Sequence, residues 1–102
     1  MAYDPKKERS YYKLKSIYDD KGNVMKNFYE IVKFDEDLNV VSCYRMNWIE
    51  TKDGGYHDCQ CPAAKFDCRH KAIMREIVAA KKVDTEQFFN FAKRTFHNAQ
   101  EI

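Results

Sequence analysis

Residues 56–77 read YHDCQCPAAKFDCRHKAIMREI, and the spacing within this stretch organises the reading of the whole chain. Cys59 and Cys61 are two apart, the interval at which side chains of a β-strand point the same way. Six residues later comes Cys68-Arg69-His70. From Arg69 the apolar period becomes helical: Ile73, Ile77 and Ala80 share a face, with Met74 beside them. At about 100° per residue, His70 lies within about 60° of Ile73, Met74 and Ile77, so it turns toward whatever the helix packs on. Two short-range pairs joined by a tight loop therefore offer three thiols and an imidazole to one point. Zinc takes four such donors in a tetrahedron.

Upstream, the chain alternates in the manner of strands. Residues 11–18, YYKLKSIY, place Tyr11, Lys13, Lys15 and Ile17 on one face and Tyr12, Leu14 and Tyr18 on the other. Asp19–Asn23 is a turn. Residues 24–34, rich in β-branched and aromatic side chains, read as a second strand. Asp35–Asp37 turns again, and residues 38–50 form a third strand with Leu38, Val40, Tyr44, Met46 and Trp48 on its apolar face. The last of these predicts a Trp48 mostly buried between sheet and helices. Asp53-Gly54-Gly55 is a hairpin turn leading into a short strand over 56–61.

Downstream, the first helix is expected to end near Lys82. Asp84, with Gln87 three residues on, reads as a capping box opening a second helix over about 84–98. The expected fold is thus α+β: an antiparallel sheet of about four strands followed by two helices. A structural zinc site would lie between the last strand and the first helix. At 102 residues the chain is expected to be a single domain, 1–102, with the zinc-binding portion at about 45–82.

Composition limits the alternatives. No run of 18 apolar residues exists, so no membrane span is expected. The opening MAYDPKKERSYYK is charged and unlike a secretory signal. Cysteines clustered beside a histidine, in that setting, favour an intracellular metal site over a disulfide framework. Net charge is only +2, unevenly placed. Residues 1–18 carry five Lys/Arg against two acids, 19–58 five against nine, and 59–102 eight against five. Any polyanion site is therefore local.

Cys59-x-Cys61…Cys68-x-His70 on a strand–loop–helix layout resembles the SWIM zinc finger, whose pattern is CxC, a variable gap, then CxH. Lys71-Ala-Ile-Met resembles that family's continuation into the helix. The likeness covers about 45–82, with a six-residue gap at the short end of the family's range. Proteins that resemble SWIM fingers occur among chromatin-remodelling ATPases, Mutator-type transposases and recombination accessory factors. The resemblance implies binding to DNA or to a protein partner.

Other readings stand beside this one. The thiols can be ordinary buried cysteines, although three so close together are an oxidation hazard without a metal. Cys43 or His57 can replace one ligand; alternation puts His57 with Cys59 and Cys61, which makes it the better substitute. A catalytic zinc keeps one position open. Here four ligands fill all positions, and no HExxH or deaminase pattern is present. No paired acids, nucleophile–base pair or Gly-rich phosphate loop suggests an enzyme or a small-molecule substrate. Lys71, Arg75 and Lys82 fall within about 40° on the helix, opposite its apolar face, with Lys65 and Arg69 in or beside the zinc loop. This is the candidate DNA-binding patch, or else a solvated helix face. The Tyr11/Lys13/Lys15 strand is a second candidate, for single strands.

Overall fold

A computed structural model of the protein describes residues 10–49, 52, 53, 56–61 and 69–101. Four strands form a meander: β1 (Tyr11–Tyr18), β2 (Val24–Phe34), β3 (Val40–Ile49) and β4 (Tyr56–Cys59). Helix α1 (Arg69–Ala79) follows, then β5 (Phe88–Asn90), β6 (Thr95–His97) and a 3₁₀ turn, Ala99–Glu101. All six strands join one antiparallel sheet in the order β4-β3-β2-β1-β5-β6. The expected four-strand sheet with two helices is therefore corrected to a six-strand sheet with one helix among the described residues. That helix is neither long nor apolar enough to cross a membrane.

The expected second helix over 84–98 fails for a physical reason. Phe88 and Phe89 are adjacent and both buried. A strand sends them to opposite faces, whereas a helix would set them only about 100° apart. Phe89 pairs with Tyr12 and enters the core. Phe88 lies on the other face, edge-on to Phe34 at 5.1 Å and beneath the Lys13 ammonium at 4.4 Å. Asp84 does not cap a helix. Its N–H donates to the Leu14 carbonyl, and its carboxylate accepts the Ser16 N–H at 2.9 Å, tying this segment to β1.

α1 also stops earlier than Lys82. The Lys82 N–H reaches the Ile77 carbonyl, the Lys81 N–H reaches that of Val78, and Lys81 has φ +57°. This is a Schellman ending with lysine where glycine is usual. Ala80, expected on the apolar face, is exposed.

The first two meander turns share one construction. Asp19 accepts the N–H groups of Lys21 and Asn23, as Asp35 accepts those of Asp37 and Asn39. Gly22 supplies the left-handed residue of the first turn at φ +82°, and Leu38 that of the second at φ +63°. Leu38 thus belongs to the turn and not to β3, and Val40 is 63% exposed at the strand's start.

The core lies between α1 and one sheet face. Tyr12, Leu14, Ile31, Met46 and Phe89 meet Ile73, Met74 and Ile77 there. Full burial of side chains of this size contributes about 1.5–3 kcal/mol each. Between Ser16 and Tyr18 the β1–β2 register shifts, with four β2 residues facing one of β1. Within that bulge Asn27 adopts φ +69°.

Candidate metal centre

Cross-strand register builds the site. In antiparallel pairs, directly opposed residues share a face. Met46 opposes Cys59, so Cys59 faces the helix; two residues on, Cys61 is buried with it. The Gln60 N–H bonds to the Arg45 carbonyl and keeps the chain in register between them. Opposite, His70 sits in the first turn of α1 and turns inward, because the buried Ile73, Met74 and Ile77 define that face.

Sulfur of Cys59, sulfur of Cys61 and a ring nitrogen of His70 all lie within 4.8 Å of one another. The Cys59 Sγ to His70 Nδ1 distance is 3.6 Å. For a tetrahedral ion with Zn–S at about 2.3 Å and Zn–N at about 2.0 Å, the S···N separation is about 3.5 Å. The three donors form a group that could hold a metal ion.

The imidazole is framed by two tyrosines, Tyr44 with ring centroids 5.4 Å away and Tyr12 at 6.4 Å. Burial, with the charges of Arg69 and Lys33 adding to it, lowers the His70 pKa below the usual histidine value. That favours the neutral ring, the form that ligates metal. Both tyrosines fall on strand faces legible from alternation, but only the pairing of β1 and β3 on either side of β2 shows that they converge on His70.

Cys68, the expected fourth ligand, lies outside the described residues, as does Lys65; so does the side chain of His57. Cys43 is no substitute ligand. It is exposed on the opposite sheet face. Its thiol pKa is raised, first by partial burial and then by a hydrogen bond and the charge of Glu30.

The basic residues are partly gathered. Arg69 and Arg75 are exposed on α1, Lys71 is half-buried on it, and Lys82 lies beyond its end in the Schellman turn. Glu76, the one acid of α1, is ion-paired to Arg94 of the β5–β6 turn. On the other sheet face Tyr11 lies edge-on to Phe88 and His97, and Lys13 packs on Phe88, so this strand's aromatics are largely engaged in packing. Trp48 is half-buried rather than enclosed, lining a groove beside α1.

Compared with known protein families, with curated proteins and with solved structures, the chain matches none of them.

Proposed function

We propose that the chain is a zinc-stabilised, SWIM-like binding module that binds nucleic acid. One zinc is held by Cys59, Cys61, Cys68 and His70, and its role is structural. The carrying observation is the convergence of Cys59, Cys61 and His70 within 4.8 Å at a sulfur–nitrogen spacing suited to a tetrahedral ion. With Cys68 two residues before His70, the donor set is full and leaves no position for a reacting water. The module is therefore read as a binder and not as an enzyme.

The nucleic-acid surface is the outward side of α1 with Arg69, Lys71 and Arg75, extended by Lys82 and by Lys65 of the loop. α1 carries three basic residues against one acid, and that acid is paired to Arg94. Phosphate contacts of this kind release counterions, so the log–log salt slope is about −0.9 per phosphate on duplex DNA and about −0.7 on a single strand. Gel shift or anisotropy across salt, with a Lys71→Glu/Arg75→Glu double variant, tests this. Most binding should vanish while zinc content and thermal stability stay near wild type. Equal binding by the variant, or no salt-dependent binding by wild type, refutes the reading.

The alternative is a protein-interaction adaptor or inhibitor. It is favoured by exposed apolar side chains at the tip of the β1–β2 hairpin, where Tyr18 and Val24 are 55% and 57% exposed beside the acidic Asp19-Asp20 turn.

A further inference from the structure

The groove beside the C-terminal half of α1 has a composition of its own. Trp48 and Tyr29 form the sheet wall, Met74, Val78 and Ala79 the helix wall. Asn27 closes one part of the lining and Arg75 another, around a volume of about 310 Å³. Ligand sites are concave and mostly apolar, with a few placed polar groups. Here Asn27 supplies an amide and Arg75 a guanidinium, and among the described residues no acid lines the groove.

Two features argue against incidental roughness. Asn27 is carried into the lining by the β2 bulge, in a left-handed conformation that asparagine tolerates better than most residues. Bulges next to functional sites re-aim side chains in this manner. Arg75 also belongs to the basic side of α1 together with Lys71, so the groove opens onto the surface already assigned to phosphate. The occupant must therefore combine a flat apolar body, a hydrogen-bonding edge and an anionic tether.

We propose that this groove receives one unstacked base of a single-stranded nucleic acid, its ring against Trp48, its edge at Asn27 and its phosphate at Arg75. The inference rests on the nucleic-acid reading above and specifies the class of ligand. An asparagine amide offers both donor and acceptor to a base edge. Base–aromatic stacking tolerates any sequence, since every base has a π-face. A duplex does not supply a free base, so single strands are preferred.

Trp48 is the single tryptophan of the chain, and so reports directly on its own groove. The zinc-loaded protein is titrated with short oligothymidylate, with an abasic oligomer of the same length and with a mixed-sequence duplex, following Trp48 fluorescence and the anisotropy of a labelled strand. Oligothymidylate should quench Trp48 and bind about ten- to a hundredfold more tightly than the abasic oligomer. Trp48→Leu, and independently Ala79→Leu, which fills the groove from an exposed helix position, should collapse that ratio toward one; metal content and melting temperature check that both variants are folded. Salt-dependent binding by anisotropy without quenching, or with the ratio unchanged in both variants, overturns the groove proposal and leaves the nucleic-acid reading standing. Absence of salt-dependent binding to all three probes overturns both. A fluorescence response to a short apolar peptide but not to oligothymidylate makes the groove a protein-docking site and overturns the proposal.

Discussion

Replacing Cys59 by serine separates what the metal contributes from what the core contributes. Cys59 is 5% exposed, packs within the core and stands 3.6 Å from His70 Nδ1. Serine keeps the approximate shape but is a poor zinc ligand, and its hydroxyl, if unsatisfied in that setting, costs about 1–3 kcal/mol. That part is present with or without metal. The metal part follows from linkage: free zinc at about a thousand times its dissociation constant stabilises the folded chain by about 4 kcal/mol. For a domain of this size each kcal/mol shifts the melting temperature by about 4–8 °C. Wild type should therefore melt about 20 °C higher or more in zinc than in chelator, while Cys59→Ser melts nearly alike in both. Circular dichroism melts of the two proteins, each with zinc and with chelator, give four curves and one difference of differences. A wild-type melt unaffected by chelator, or a Cys59→Ser variant that gains as much from zinc as wild type, refutes the assignment of Cys59 as a ligand.

Phe89→Ala should cost about 3–5 kcal/mol in urea denaturation, because Phe89 is 1% exposed beside Tyr12 and Phe96; a loss below about 1 kcal/mol contradicts the β5 assignment. Gly22→Ala should cost about 1 kcal/mol from backbone strain alone, since nothing lies within 4 Å of the added methyl at φ +82°, and Gly22→Asn should cost less. Cys43 in the zinc-loaded protein should be alkylated by iodoacetamide at pH 8 more slowly than a free cysteine, because its raised pKa leaves less thiolate. Glu30→Gln removes a charge that raises that pKa and should speed the reaction; an unchanged rate refutes the coupling.

How far the sequence discloses this molecule depends on where periodicity is local. β1 is legible because Tyr12 and Leu14 alternate with lysines, and both prove about 1% exposed. Cys59, Cys61 and His70 are legible as a group because the CxC pair is two residues apart and His70 falls on the apolar side of the helix, which needs no tertiary knowledge. The C-terminal hairpin is not legible in the same way. Its strands are three residues each, too short for an alternation to register against a helical period. The Asp84…Gln87 pattern mimics a helix start while Asp84 is spent on Ser16, 68 residues away in sequence. Trp48 shows the limit of face assignment. Alternation gives the side it points to, but its burial depends on how α1 packs beside it. The groove has no sequence signal either, since Asn27 reaches it through a bulge.

The candidate metal group and the proposed binding surface are joined through a helix that is short of independent stability. α1 has 11 residues, with no acid in its first turn and no base in its last. Isolated helices below about 12–15 residues are marginal in water. Its order therefore comes from Ile73, Met74 and Ile77 against the sheet, from the Glu76–Arg94 pair and from His70 in the first turn. A metal bridging His70 to Cys59 and Cys61 would fix that first turn to the end of β4. Lys71 follows His70 directly and Arg75 comes one turn later on the same helix, where Arg75 lines the groove with Val78. Zinc should then govern nucleic-acid affinity without touching the ligand: chelation should weaken oligothymidylate binding at least tenfold in the anisotropy titration. Coupling between two ligands is reciprocal, so saturating oligothymidylate should raise zinc affinity by the same factor in competition against a chromophoric chelator. Equal oligonucleotide affinity with and without zinc refutes this coupling, and assigns the placement of Arg75 to the apolar contacts of Ile73, Met74 and Ile77 alone.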